Sequence, residues 1–368
     1  MSSQLFSPIE LRGLKLSNRV VVSPMCQYIS DDGCSNDWHL MHYGQFSMGA
    51  AGLVITESTG VSPEGRITHK CAGLYSDAQE VAAKRVVDFC KKFGAAAIGI
   101  QLGHAGRKAS TLPPALGGRS LTRDENAWTT FAPSALPYAP DWQVPKAMER
   151  SDMDKVRADF VSAVQRADRV GYDLIEFHAG HGYLMHQFLS PLANQRSDDY
   201  GGSAGNRMRF PLEVFAAMRA AWPATKPLGV RVSAVDWVEG GLTLEQTVAF
   251  ATELKKLGCD YVDVSSGALD PRQQVPFAPG YHAPMAARVK QEAGVVTRTV
   301  GLIADARLAE QIIASGQADM IAIARAAMWD PRWAWHAALE LGTEAQYPIR
   351  ATPCLPKLRP QIFGTRTA

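Results

Sequence analysis

Eight short apolar runs recur along the chain, each followed by a longer stretch, and this alternation limits the fold more than any other feature. The runs cover 19–25 (RVVVSPM), 51–58 (AGLVITES), 95–102 (AAAIGIQL), 172–178 (YDLIEFH), 227–234 (PLGVRVSA), 260–266 (DYVDVSS), 296–302 (VTRTVGL) and 319–325 (DMIAIAR). Most are nearly continuous rather than alternating, as in parallel strands buried on both faces. Helical patterns lie between them. DAQEVAAKRVVDFCKKFG (77–94) stops in Lys-Lys-Phe-Gly, SDMDKVRADFVSAVQRADRVG (151–171) opens on a Ser-Asp cap, and TLEQTVAFATELKKLG (243–258) pairs Thr243 with Gln246 and ends in Gly258. Eight strand–helix units in 368 residues predict one α/β domain over 1–368, a (β/α)8 barrel.

Two segments break the alternation. Residues 5–18 (LFSPIELRGLKLSN) alternate apolar and polar around Gly13, which predicts a hairpin across one end of the barrel. Residues 107–150, rich in Pro and Gly, follow the third strand. A loop that long needs structure of its own, so it reads as a capping excursion beside the active site.

Composition removes several function classes. Hydrophobic residues make up 46% of the chain and the net charge is only +2, so neither a nucleic acid nor an anionic membrane is indicated as partner. No charge-free apolar run reaches the roughly 18–20 residues of a membrane helix, and the N-terminus has no secretory pattern. The 6 cysteines form no C-x-x-C pair, consistent with reduced thiols and a cytoplasmic protein.

Barrel active sites gather at the C-terminal ends of the strands. Those ends carry Cys26, Glu57, Gln101, His178, Arg231, Ser265, Ser266, Gly301 and Arg325, a polar set converging on one mouth. The last two strands end in TVGLIADARLAE and IAIARAA. Gly301 lets backbone approach an anion, a following helix N-terminus adds positive potential, and Arg325 offers a planar fork, so this pair predicts a phosphate site.

The fourth strand runs into HAGHGY, which brings His178, His181 and Tyr183 together. Three readings are open. Two histidines at i and i+3 can share a metal, though a third ligand is needed and neither H-E-x-x-H nor H-x-H is present. A histidine can simply cap a strand end. Or both imidazoles donate to one oxygen, polarising a carbonyl, while the Tyr183 hydroxyl delivers a proton. Gly180 and Gly182 would free the backbone to aim all three inward.

With FSPIELRGLKLSNRVVVSPMCQY, ESTGVSPEGR, IQLGHAGRKAS, GYDLIEFHAGHGYLMHQFLSPLANQRSDDYGGSAGNRMRF and VGLI…IAIAR in order, the chain resembles the old yellow enzyme family of flavin-dependent ene-reductases nearly end to end. His181 in place of Asn, and Cys26 in place of Thr with Tyr28 following, resemble the thermophilic-like class that includes xenobiotic reductases. The resemblance implies non-covalent FMN, with its phosphate at Gly301, Ala324 and Arg325. It implies Ser23, Pro24, Met25, Cys26 and Gly60 along the flavin, Gln101 at the pyrimidine end and Arg231 near N1 and O2. For Arg231 an ordinary barrel ion pair is the competing reading. Cys26 would tune the flavin, Tyr28 would touch substrate, and Lys108 would be a cofactor-side cation. NADPH or NADH would reduce the flavin, and an activated alkene would then take hydride at its β-carbon. His178 and His181 would hold its carbonyl oxygen and Tyr183 would protonate the α-carbon. That shared pocket needs no G-x-G-x-x-G fingerprint, and none is seen. The string RSDDYGGSAGNRMRF (196–210) suits tight turns and ion pairs that brace the barrel.

The family's Gly-Arg at the last strand end is Ala324-Arg325 here, which keeps phosphate binding unless a positive φ is required. Relatives in this class form homodimers or homotetramers with the C-terminal tail (350–368) at the interface, where Arg359 is the candidate to reach a neighbouring site. Leu302 stands where xenobiotic reductases carry tryptophan, implying a different substrate range. A dienoyl-CoA reductase, a metal-dependent barrel hydrolase and a non-enzymatic flavin carrier are the alternatives.

Overall fold

The computed structural model describes residues 3–358 and 360; Arg359 and residues 361–368 of the tail lie outside the described residues. Its strands are β1 (Ile9–Leu11), β2 (Leu14–Leu16), β3 (Val20–Val22), β4 (Leu53–Gly60), β5 (Ala97–Gly103), β6 (Phe131–Ala132), β7 (Lys146–Ala147), β8 (Leu174–Ala179), β9 (Leu228–Ser233), β10 (Val262–Ser265), β11 (Thr297–Thr299) and β12 (Met320–Ile323). The helices are α1 (Asp37–Ser47), α2 (Asp77–Phe93), α3 (Arg150–Val170), α4 (Leu184–Leu189), α5 (Ala204–Ala221), α6 (Leu244–Lys256), α7 (Ala283–Ala293), α8 (Ala306–Ala314), α9 (Arg325–Trp329) and α10 (Trp333–Glu340).

Strands β3–β5 and β8–β12 close into an eight-stranded barrel with every pair parallel. These are the eight apolar runs; every strand starts inside its run, and β4, β5 and β8 continue past the run's C-terminal end. Parallel strands need crossovers, and the helices supply them while burying the barrel's outer face. Ser76 caps α2 in a reciprocal box with Gln79, and Thr243 caps α6. The start of α3 differs from the sequence expectation. Glu149 is the cap, and Ser151 and Asp152 sit inside the first turn, where Asp152 accepts from the Glu149 N–H at 2.8 Å. The cause is reach: a carboxylate at the third helical position can turn back on the cap backbone.

The predicted hairpin is β1–β2, an antiparallel pair. Leu11 and Leu16 are buried against Val21, Leu53, Leu174 and Met320. Arg12 ties the hairpin to Asp260 at 2.8 Å and to the Gly258 carbonyl at 3.1 Å, both just ahead of β10. The hairpin therefore plugs the N-terminal end of the barrel and leaves the opposite mouth for chemistry.

The 107–150 excursion holds short 3-10 turns and the two-residue parallel ladder β6–β7. Arg196 anchors it, donating to the carbonyls of Pro133 at 3.0 Å and Met148 at 2.6 Å while pairing with Asp198. The 196–210 string is thus a brace, as read from the sequence.

Candidate active site

At the end of β8 the chain turns through Ala179 and Gly180 into α4. His181 and Gly182 both take positive φ, +55° and +74°. A side chain at 182 would meet the Ala268 carbonyl at 2.2 Å, so only glycine fits. Gly180 plays a different part from the one expected. Its φ is not positive, and its missing side chain lets the turn pack on Ser233. Behind the turn, the Gly182 N–H donates to His186 Nδ1 at 2.9 Å, and His186 Nε2 lies 2.9 Å from Asp236, both fully buried.

His178, His181 and Tyr183 do come together. The His178 ring meets those of His181 and Tyr183 edge-on, with centroids 5.1 and 5.0 Å apart. Burial, then the Arg231 charge, pushes both imidazoles well below the usual histidine range, so both are neutral. The Gly180 N–H donates to His178 Nδ1 at 3.2 Å, which leaves the proton on Nε2. His178 Nε2 lies 3.3 Å from His181 Nδ1, and His181 Nε2 lies 2.8 Å from Ser265 Oγ. The two rings are therefore linked to each other and then to β10, rather than presenting two separate donors. Ser233 Oγ accepts the His181 N–H at 2.9 Å.

Burial, then Cys26 and Tyr28, raises the Tyr183 hydroxyl well above its ordinary range, so it keeps its proton. Cys71 lines one small cavity with Tyr183, and the side chains of Cys26 and Tyr28 are hydrogen-bonded to each other. Burial raises Cys26 and Tyr28 as well. Beneath Cys26 and Tyr28, β4 carries a register break between Thr56 and Ser58. A bulge re-aims a side chain, and here it turns Glu57 to accept the Gln27 N–H at 3.1 Å and to meet His39 at 3.2 Å. Pro24 and Met25 follow β3 on this loop, both partly buried.

Ser23, Arg231, Gly301, Ala324 and Arg325 line one cavity of about 360 Å³. Gly301 has φ +110°, and a Cβ there would strike His282 and Tyr281 at 2.8 and 2.9 Å. Leu302 follows at φ +53°. Arg325 is exposed at the rim, with no ion pair among the described residues. Ala324 has φ −117°, so the position does not require the positive φ that would favour glycine. The helix after Gly301, α8, begins at Ala306, with Asp305 accepting its Leu308 N–H at 2.7 Å, and Arg325 and Arg231 are the charged side chains that line the cavity itself. A cavity lined by two arginines, with one position where only glycine fits, suits an anionic group.

Arg231 lies opposite both His178 and Asp263 in the ladders, with Nε 3.1 Å from Asp263 Oδ2 but off line for a hydrogen bond. The ion pair and the cavity role thus coexist. Gln101 is buried on β5 and donates to Glu176 Oε1 at 2.8 Å. Gly60 and Tyr183 share a smaller cavity with Cys71 and His104. Lys108 does not reach the cavity. It donates to the carbonyls of His181 and Ala268 at 2.9 and 2.8 Å, between the rings of Tyr138 and Tyr183. Burial, with Arg107 adding, pulls its amine down to about 7. Sequence reasoning missed Ser233, Glu176, Asp263, Arg298 and His282; for the first four the signal was a charge or hydroxyl inside an apolar run, and His282, ahead of α7, gave none.

The model of the NADH:flavin oxidoreductase / NADH oxidase family matches residues 4–344. An NADPH dehydrogenase of Geobacillus thermodenitrificans is 42% identical over 352 residues, spanning 95% of this chain and 98% of its own length. An NADPH dehydrogenase of Bacillus subtilis is 39% identical over the same 95% and 98%. Among solved structures, morphinone reductase superposes with a TM-score of 0.76 at 28% identity, covering 96% of this chain and 93% of its own.

Proposed function

Because the chain belongs to the NADH:flavin oxidoreductase / NADH oxidase family, the old yellow enzyme family that its motifs resemble, we propose that this oxidoreductase is an FMN-dependent ene-reductase. It takes electrons from NADPH or NADH and saturates the C=C bond of α,β-unsaturated carbonyl or nitro compounds. One observation carries the reading: two neutral imidazoles and a protonated tyrosine stand beside an arginine-lined cavity at one barrel mouth.

Arg325, Ala324 and the Gly301 turn hold the phosphate, and Gln101 and Arg231 hold the pyrimidine end of the ring. Ser23, Pro24, Met25 and Cys26 flank it, with Gly60 beside them. FMN, when bound, supplies a two-electron carrier that NAD(P)H reduces and the alkene reoxidises. The substrate oxygen sits against His178 and His181. His178 presents Nε2–H. For His181 to donate as well, its proton must move to Nδ1, and the Ser265 hydroxyl permits this by donating to Nε2 instead of accepting. Two N–H donors then stabilise charge developing on the oxygen. Tyr183 gives its proton to the α-carbon, and Tyr28 packs on the substrate. The exposed Trp329 and Ile349 on C-terminal elements suit a homodimer or homotetramer of a cytoplasmic protein. Among the described residues, no helix is long and apolar enough to cross a membrane.

The test is an anaerobic visible spectrum of purified protein, before and after NADPH and again after 2-cyclohexenone. The expected result is a yellow protein that bleaches and then recovers its colour. A colourless protein that FMN cannot reconstitute would remove the flavin reading.

A further inference from the structure

Barrel interiors are normally filled by branched apolar side chains. This one holds Glu176 on β8, Asp263 on β10 and Arg298 on β11, all fully buried. Replacing such buried ions with well-packed apolar residues is commonly neutral or stabilising. Stability alone is therefore a weak reason for their presence, and their connections point elsewhere.

Arg298 Nη2 bonds Glu176 Oε2 in a close contact and Asp263 Oδ2 at 2.8 Å. The Tyr261 hydroxyl adds a donor to Glu176 Oε2 at 3.0 Å. The other Glu176 oxygen accepts from Gln101 Nε2 at 2.8 Å. An ionised carboxylate only accepts, so it fixes which end of the Gln101 amide faces it and leaves the Gln101 carbonyl oxygen for another partner. On the opposite side, Asp263 Oδ2 lies 3.1 Å from Arg231 Nε. The ladders impose this order, with Gln101 opposite Glu176, and Asp263 opposite both Arg231 and Arg298. One arginine thus joins the two carboxylates that orient Gln101 and Arg231.

We propose that Arg298 is a positioning residue for the cofactor: by tying Glu176 to Asp263, it sets the Gln101 amide and the Arg231 guanidinium at the pyrimidine end of the flavin. This rests on the FMN reading above. The site's charge balance follows from the same linkage, because two arginines are offset by two carboxylates beneath the ring.

The test titrates apoprotein with FMN by flavin fluorescence and measures the midpoint potential of the loaded protein, for wild type, Arg298→Met, Arg298→Lys, Glu176→Gln and Asp263→Asn. Arg298→Met is expected to weaken FMN binding at least tenfold and shift the potential, with Arg298→Lys recovering part of both. Asp263→Asn is expected to raise the potential, because the Arg231 charge then faces the reduced anion unopposed. Arg298→Met with wild-type affinity and potential would overturn the proposal. If Arg298→Met does not fold, the two near-isosteric variants decide: wild-type values in both overturn it, and a shift in either supports it. Wild-type apoprotein that takes up no FMN would instead remove the functional reading, and this proposal with it.

Discussion

Ser265 decides how many hydrogen bonds His181 can give. A hydroxyl donates or accepts as required, so the His181 proton is free to sit on either nitrogen. Ser265→Ala removes that freedom. Binding of a phenol, whose oxyanion occupies the place of the substrate oxygen, is expected to weaken about tenfold, on the order of the 1.4 kcal/mol of one hydrogen bond to a charged group. His178→Ala with His181→Ala should weaken it further while bound FMN is retained; titration of the flavin spectrum with phenol reads both. Because both imidazoles are neutral far below the usual range, phenol affinity should show no histidine inflection between pH 6 and 8. Tyr183→Phe keeps the ring and loses the proton. Flavin reduction by NADPH should be unchanged in stopped flow, while reoxidation by an enone slows by 10²-fold or more, within the usual range for a general acid. Slowing of the reductive half instead would remove Tyr183 from the proton-donor role. Strain collects around these groups: Tyr28, His181, Ala268 and Leu302 all hold positive φ. Non-glycine residues in that region cost energy that surrounding contacts must offset, and Lys108 on two carbonyls is one such contact.

At the scale of elements, the sequence shows its strands well and its inner polar layer poorly. All eight apolar runs became barrel strands, because burial on both faces writes a continuous pattern. Five of them end sooner than expected, as β11 does at Thr297–Thr299 within the run 296–302, and β4, β5 and β8 end later. Apolar content extends past the last paired residue, and only ladder pairing stops a strand. The same continuity hides direction. Nothing in DYVDVSS says whether Asp263 faces the barrel or the helices, so Arg298, Glu176 and Asp263 were legible as residues but not as a network. The mouth was more readable, since strand-end positions follow from topology alone. The excursion was legible only as an anomaly of length. Its anchor, Arg196, gives an element-scale expectation: Arg196→Ala should raise amide exchange across 131–148 and lower stability by about 1–3 kcal/mol. Protection in the barrel strands should stay unchanged. Equal loss throughout would mean that the excursion and barrel unfold as one unit.

For the whole molecule, the burial that keeps His178 and His181 neutral has a thermodynamic counterpart. His42, His104 and His282 are buried too, and desolvation lowers each to about 4. With His178 and His181, the folded state holds five imidazoles that resist protonation. In the unfolded chain each takes a proton near pH 6.5. The unfolded state therefore binds more protons below that value, and stability rises with pH across the window. Their contribution is complete above pH 6.5 and is lost as pH falls toward 4, by up to about 1.4 kcal/mol per unit for each histidine. The depressed carboxylates, such as Asp236 and Asp263, lose their contributions only below about their ordinary 3.8, so they do not overlap this window. The urea midpoint is accordingly expected to fall steeply from pH 6.5 to 4.5, while above pH 7 the one depressed Lys108 amine, protonated only in the unfolded chain there, gives a shallower rise with pH. His104→Gln should flatten that fall, since its Nε2 is buried without a hydrogen-bond partner and nothing but burial opposes its charge strongly. A midpoint independent of pH down to 4.5 would mean that these imidazoles gain protons without unfolding, and that the barrel mouth is wetter than its packing indicates.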